Sequence, residues 1–481
     1  MSVRKPALLL SGLALLALAG CTPGPVYKRP AVSIPQSYRA PAGINATPPT
    51  AAATAASLGA EQWASVFHDP VLQGLIRKAL QNNYDLKIAA QRILEAQGQL
   101  GITRSQEFPT LSGNANYDAI GLPSSISKLF GGNNKQASRR TSYFGGVSLA
   151  TAWNLDFWGY YRQQTVAARD QLLATEWARR LTVDTVIEDV ATAYFQLRTL
   201  DAELAITRQT VAARQQSLHL TEVLERGGSG TLEDVRQAQE SLYQAEAQIP
   251  DLERQISQEE NAISILLGRN PGPIARGSLS AIDWPAPAAV PAGIPSQLLE
   301  RRPDVEEAEA MLRADNANVR VARAALFPQL SLSATGGTSS NQLKQLFDGS
   351  NILWYTSGTI AQSIFEGGRL RANVRLTEAE KQAAVLSYKQ TIQQAFRNVS
   401  DSLIALHRYR QYRVQEEKVA AAAKDATRLA EMRYKAGYTS YLEVLTNDTT
   451  YYSAQLNLAM AREQEAISFV QLYSALGGGW Q

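Results

Sequence analysis

From Pro109 to Ala119 the chain alternates. Leu111, Gly113, Ala115, Tyr117 and Ala119 are small or apolar, and Thr110, Ser112, Asn114, Asn116 and Asp118 between them are polar. A period of two is that of a β-strand with one apolar face and one wetted face. A second such segment, 143–157, puts Tyr143, Val147, Leu149, Trp153, Leu155 and Phe157 on one side and Gly146, Ser148, Asn154 and Asp156 on the other. In a third, Leu330, Leu332 and Ala334 alternate with Ser331, Ser333 and Thr335. A fourth, from Tyr355 to Phe365, alternates less cleanly.

Elsewhere the period is helical. Val186, Val190, Ala193, Leu197, Leu200 and Leu204 follow a 4-3-4-3-4 spacing, and Ile392, Phe396, Val399, Leu403 and Leu406 do the same. That spacing is a coiled-coil seam, or the apolar stripe of a helix in a bundle. Each seam lies within a predicted helix of about 65 residues (160–226 and 369–436), roughly 100 Å long at 1.5 Å per residue. Medium helices are predicted over 70–105 and 296–324, and, beyond Gly-containing turns, over 231–267 and 440–475. Pro250 is expected to kink or break the helix that holds it.

The elements repeat. Asp85, Phe108, Pro109, Leu111 and Ser112 recur as Asp304, Phe327, Pro328, Leu330 and Ser331. Further on, Phe157, Gly159, Val190, Gly228, Val235 and Leu267 recur as Phe365, Gly367, Val399, Gly437, Val444 and Leu476. The offset shortens between the two sets, so the first half holds extra residues, placed in the polar, Gly-rich loop LPSSISKLFGGNNKQASRR. Each half thus reads helix, two strands, very long helix, turn, helix. A medium helix before the strands and the one after the turn would together match one long helix. Each half could then supply one continuous and one composite rod.

Segments of about ten residues have the length of a tilted membrane strand. Phe108, Tyr143, Phe157, Trp354 and Phe365 lie near their ends, where aromatic residues suit a membrane interface. A sheet in lipid must close, and four strands cannot, since even a small barrel needs about eight. Several chains must then share one barrel. Two would give eight strands and three would give 12, and the pattern alone does not choose. Two hairpins capping a soluble helical bundle are the alternative.

The N-terminus bears on that choice. Arg4 and Lys5 precede the apolar run ALLLSGLALLALAG, residues 7–20, which is too short to span a bilayer and fits a signal-peptide core. The one cysteine of the chain, Cys21, follows directly in LAGC. An ordinary signal peptide with an idle cysteine and a bacterial lipoprotein cleavage site are the two readings. The second makes Cys21 the acylated first residue of the mature chain. Removing Arg4 and Lys5 lowers the formal net charge from +3 to +1, which argues against a nucleic-acid partner. The three histidines, His68, His219 and His407, fall on different predicted elements. No phosphate loop, thiol–histidine pair or metal-ligand spacing is present, so neither catalysis nor a cofactor or metal is expected.

Six stretches together carry a resemblance: LDFWGYYR (155–162), LLERRPDVEEAE (298–309), AALFPQLSLS (324–333), IFEGGR (364–369), YKAGYTSYLEVL (434–445) and LYSALGGGW (472–480). With them the chain resembles the outer-membrane factor family of TolC-like channels, in the lipoprotein branch that serves RND-type multidrug efflux (OprM-like, NodT-type). The resemblance covers essentially the whole mature chain. It implies an α+β membrane protein: a homotrimer whose four strands per chain close a 12-stranded outer-membrane barrel above a long coiled-coil α-barrel in the periplasm. It also implies two internal repeats, 67–268 and 296–477, joined by a Pro- and Gly-rich linker, 269–295. Residues 1–20 would be the signal peptide, 21–66 a lipid-anchored extended arm and 478–481 a tail.

The implied function is a passive exit duct for drugs or other small molecules. It would work with a periplasmic adaptor protein and an inner-membrane RND pump that supplies the energy. Type I protein secretion and metal-ion export are the alternatives. Gly159, Gly367 and Gly368 would stand at strand–helix junctions, and Gly228 and Gly437 at the hairpin tips that close the channel and meet the adaptor. Asp234 and Tyr434 match positions that bond across the closed tip, and Glu443 matches a ring of acidic residues at the constriction. Like charges around one axis would repel, attract cations and raise their own pKa values. Thr439 stands where some members carry a basic residue, and Thr446 where a second acidic one falls. The basic latch and the second ring are thereby put in question.

Overall fold

The computed structural model describes residues 24–39, 57–122, 140–277 and 295–480. The expected signal peptide, Cys21, nearly all of the Gly-rich loop and most of the linker lie outside the described residues. The chain divides into two compact units, one of 1–30, 94–173 and 310–386 and another of 31–93, 174–309 and 387–481.

The first unit holds the four strands found among the described residues: β1 (Thr110–Leu122), β2 (Arg140–Leu155), β3 (Gln329–Ser340) and β4 (Ile352–Ala361). They form one antiparallel meander in the order β1-β2-β3-β4. Phe108, Phe157 and Phe365 fall just outside the strands rather than at their last positions. Pairing places Leu111 opposite Thr151, Ala115 opposite Val147 and Ala119 opposite Tyr143. Trp153 then pairs with Leu332, Leu155 with Leu330, and Leu149 with Gly336. Gly336 pairs with Trp354, Leu330 with Ile360 and Thr338 with Ile352.

Directly paired residues share a face. This register therefore gathers Leu111, Tyr117, Tyr143, Val147, Leu149, Trp153, Leu330, Leu332, Trp354 and Ile360 on one side. The other side carries Ser112, Asn114, Asn116, Asp118, Ser148, Asn154, Ser331, Ser333, Ser357 and Thr359. The irregular fourth strand belongs to the same scheme, with Leu353 and Tyr355 as its apolar exceptions on the polar side. The apolar face is open: Leu111 is 74% exposed, Trp354 76% and Ile360 71%. Tyr117 and Tyr143 stack across β1 and β2 with ring centroids 6.1 Å apart. At the helical end of the sheet the Trp158 ring stacks on Phe327 at 4.9 Å, and its Nε1 donates to the Pro328 carbonyl at 2.8 Å.

Among the described residues, eight helices of seven or more residues accompany the strands: α1 (Pro70–Asn82), α2 (Tyr84–Ser105), α3 (Tyr160–Arg226), α4 (Leu232–Leu266), α5 (Pro295–Arg301), α6 (Pro303–Ala324), α7 (Arg369–Lys435) and α8 (Tyr441–Ala475). The two longest each have 67 residues, and α4 and α8 each have 35. In the second unit the seam residues Val186, Val190 and Leu197 are buried, as are Ile392, Val399 and Leu403. Tyr194 lies beside them and donates its hydroxyl hydrogen to Asp69 at 2.6 Å.

Three helix expectations need correction. The helix expected over 70–105 is two, because the Asn83 side chain accepts from the amides of Asp85 and Leu86 at 2.8 and 3.1 Å and starts a new helix. The helix over 296–324 is also two, with Pro303 at the first position of the second, where its missing N–H is no loss. Conversely, α4 runs unbroken through Pro250. Pro250 lies on the exposed face, where water can meet the carbonyl it leaves unbonded.

The breaks serve a purpose. The Asn83 amide donates to the Leu266 carbonyl at 3.0 Å, so the end of α4 meets the start of α2. In the second half Arg302 does the equivalent: Nη1 donates to the Ala475 carbonyl at 2.8 Å, and a two-pronged pair with Asp304 holds the guanidinium in place. The ends of the medium helices thus abut, as composite rods require. The C-terminal residues close this region, with Trp480 edge-on to Trp177 at 5.7 Å and the Arg180 guanidinium over both rings.

Candidate functional site

The α3–α4 and α7–α8 hairpin ends are built alike. At the first, Gly228 donates to the Glu225 carbonyl and Ser229 to that of Leu224, both at 2.9 Å. At the second, Gly437 donates to Tyr434 and Tyr438 to Arg433, again both at 2.9 Å. Paired bonds of this kind end a helix around one residue in the left-handed conformation. Gly228 and Gly437 occupy that position with φ of 73° and 78°. A β-carbon at either would meet nothing within 4 Å, so the backbone angle alone selects glycine there.

The helices leaving the turns begin differently. Thr231 caps α4: its hydroxyl accepts from the Asp234 amide and the Asp234 carboxylate accepts from the Thr231 amide, both at 3.1 Å. This reciprocal pair satisfies two otherwise unbonded amides. Asp234 is therefore fixed at the third position of its helix. Ser440 precedes α8 without a side-chain cap. Glu443, at the corresponding position, instead accepts from Arg433 Nη1 at 2.8 Å and from the Thr439 hydroxyl.

Within the second unit Asp234 lies near enough for its charge to act on Tyr434, but the two are not hydrogen-bonded. Burial raises the Tyr434 pKa, and the negative charge of Asp234 raises it further. The Tyr434 ring lies 5.5 Å from that of Tyr441 and packs on the buried group formed by Ala238, Ala430, Tyr441 and Val444. Its hydroxyl oxygen is buried and has no hydrogen-bond partner among the described residues. Glu443 is not bonded to this pair.

Arg433 is the residue that sequence reasoning missed. It stands next to Tyr434 and supplies Glu443 with a cation that Thr439 cannot. Its spacing of ten residues from Glu443, across a tight turn with Gly437 at its bend, was the available signal.

At the strand–helix junctions Gly159, Gly367 and Gly368 all have positive φ, of 75°, 58° and 87°. Before α3, Asp156 accepts from the Arg162 amide at 2.8 Å and orients the first turn. Among the described residues no group of three or more His, Cys, Asp or Glu could hold a metal ion. No helix among them is long and apolar enough to cross a membrane. Where the site is polar it holds side chains in position, with carboxylates paired to amides, a hydroxyl and a guanidinium.

The family described as outer membrane efflux protein matches residues 75–269 and 294–478. The chain is similar to the solvent efflux pump outer membrane protein SrpC of Pseudomonas putida, with 36% identity over 97% of each chain. It is also similar to the cation efflux system protein CusC of Escherichia coli O6:H1, with 32% identity over 99% of this chain and 100% of that one. The structure of the open state of the MtrE outer membrane channel of Neisseria gonorrhoeae superposes with a TM-score of 0.81 at 28% identity, covering 96% of this chain and 99% of that one. The chain therefore belongs to the outer membrane efflux protein family, and is a channel subunit of an efflux system rather than an enzyme.

Proposed function

We propose that three copies of this chain form the outer-membrane exit duct of a tripartite RND-type efflux system. The observation that carries this reading is the sheet. Its register gathers most of the large apolar residues of four strands on one open face, while β1 and β4 each have a single neighbour. Such a sheet cannot sit in lipid with its edges unbonded. Joining β4 of one copy to β1 of the next satisfies both edges. Eight strands from two copies would enclose side chains only, whereas 12 from three leave a channel lined by the polar face of Asn114, Asn116, Asp118, Ser148 and Ser333.

Each chain comprises two TolC-like repeats, 67–268 and 296–477, that share a plan and equivalent turns. The signal peptide is 1–20, Cys21 carries the lipid anchor, 21–66 forms the arm, 269–295 the linker and 478–481 the tail. The hairpin tips at Gly228 and Gly437 meet the adaptor. Asp234, Tyr434 and Glu443 form the constriction. The channel conducts small molecules passively, and the inner-membrane pump selects them and supplies energy.

The solvent efflux name of SrpC supports apolar small molecules as substrates. The similarity to CusC favours metal-ion export as a second reading. Against it, the chain has four methionines and one cysteine, a thin supply of the soft ligands a monovalent metal path would use. Type I protein secretion is a further alternative within the same architecture.

The mass of the detergent-extracted protein, by light scattering corrected for bound detergent, tests the assembly. Three chains are expected. A stable monomer under extraction that keeps other outer-membrane trimers intact would leave four unclosed strands and overturn the reading.

A further inference from the structure

Arg214 is a buried cation that the tip residues named so far do not explain. It lies on α3, about three turns before the helix ends at Arg226, and is 5% exposed. One guanidinium serves three helices. Nε donates to Asp448 Oδ2 on α8 at 2.8 Å, and Nη1 donates to the Ser241 carbonyl on α4 at 2.7 Å. Its face lies 5.5 Å from the Tyr452 ring centre on α8. The Tyr452 hydroxyl in turn is 2.9 Å from the Thr207 hydroxyl, back on α3.

The network continues to the tip. Tyr441 neighbours Ser241, Asp448 and Arg214, and burial pushes its pKa up to about 12. The Tyr441 ring contacts Tyr434, and Tyr434 feels the charge of Asp234. A contiguous path of bonded or packed groups thus runs from Thr207 to Tyr434, through both hairpins of one chain, and ends within reach of the Asp234 charge. A well-packed apolar trio at Arg214, Asp448 and Tyr452 would hold the helices together at least as well, because a buried ion pair repays its desolvation poorly. What the ion pair adds is register: it is satisfied only when α8 stands in one position against the α3–α4 hairpin.

We propose that Arg214 and Asp448 are positioning residues of the gate, pinning the second hairpin to the first so that Tyr434 and Glu443 are held at the constriction. This rests on the reading of the hairpin ends as that constriction. When the pin is released, α8 can slide or tilt relative to α4, and the tip loses its closed arrangement.

The experiment uses the full-length channel in planar lipid bilayers, with thermal melting in detergent measured alongside. The variants are D448N, R214M and the double variant R214M/D448N, with R208Q, which breaks only the exposed pair to Glu253, as a control. Each single variant should melt lower and show open-channel events about tenfold more often. The double variant buries no unpaired charge, so its melting temperature should return toward wild type while its open events stay raised. R208Q should match wild type in both. A double variant with wild-type conductance would reduce the pair to a folding contact and overturn the proposal. Unchanged conductance in D448N would do the same even if R214M fails to fold. Wild-type protein that forms no channels at all would instead remove the reading of the tip on which the proposal rests.

Discussion

Removing one oxygen, in Tyr434→Phe, tests whether the tip is a gate. The ring would keep its contacts with Tyr441, Ala238, Ala430 and Val444. Only the buried hydroxyl, unpartnered among the described residues, would go. Two outcomes follow from its environment. If it stays unpartnered in the assembly, its removal relieves a desolvation penalty of about 1–3 kcal/mol, and the variant is as stable as wild type or more so. If a neighbouring chain bonds it in the closed channel, each lost bond costs about 0.5–1.5 kcal/mol. Three such bonds sum to about 1.5–4.5 kcal/mol, and at 1.4 kcal/mol per tenfold the balance moves roughly tenfold to a thousandfold toward the open state. The second outcome is expected. It is read as the fraction of time spent open in planar bilayers, with circular dichroism confirming an unchanged fold. A raised melting temperature with unaltered opening would refute the argument and take Tyr434 out of the gate.

Four further outcomes can be checked. Glu443→Gln should change single-channel conductance, since it removes the carboxylate that Arg433 and Thr439 hold; unaltered conductance would place Glu443 away from the constriction. Gly228→Ala should lower stability by about 1–2 kcal/mol through backbone angle alone, whereas Gly268→Ala should lose clearly more on melting, because its β-carbon would also stand 2.2 Å from the Asn82 carbonyl oxygen. Asp184 is buried beneath the C-terminal tail, and burial holds its pKa well above the ordinary carboxylate range, with only the Ser474 bond and Arg302 opposing. A raised native pKa gives stability that is present at low pH and lost as pH rises, so the melting advantage of Asp184→Asn over wild type should widen from pH 5 to pH 8. Cys21→Ser should abolish fatty-acid labelling; retained labelling would put the lipid elsewhere.

How much of this was legible in the sequence follows from how local each cause is. The seams around Val190 and Val399 and the ends of α3 and α7 were readable because a 3.6-residue period and a glycine turn are written within a few residues of where they act. The four strands were readable for the same reason, by a period of two. Their pairing was not, since which residue faces Leu149 depends on Gly336, far along the chain. Only that register brings Ile352, Trp354 and Ile360 of the irregular fourth strand into line with the others. Asn83 looked like an ordinary helical residue because its role depends on the Leu266 carbonyl, brought in from the far end of α4. Arg302 performs the same task with different chemistry, so comparing the two halves residue by residue passes over the equivalence.

The tip shows where this limit bears on function. Asp234, Tyr434 and Glu443 were selected by their match to family positions, and the chain reads there as lacking its basic partner, because Thr439 replaces it. A positive charge is nonetheless present. Arg433 reaches Glu443 from the opposite arm of the hairpin, and Arg214 reaches Asp448 from another hairpin altogether. Charge in a helical hairpin need not keep its place in sequence to keep its place in space: positions facing each other across the turn are interchangeable donors to one carboxylate. If the tip gates the channel as proposed, that gate is defined by which carboxylates are neutralised there and by which arm. Exchanging the cation between Arg433 and Thr439, in R433T/T439R, should preserve conductance better than R433T alone. If R433T alone leaves conductance at the wild-type level, the pairing of Glu443 has no part in closing the channel.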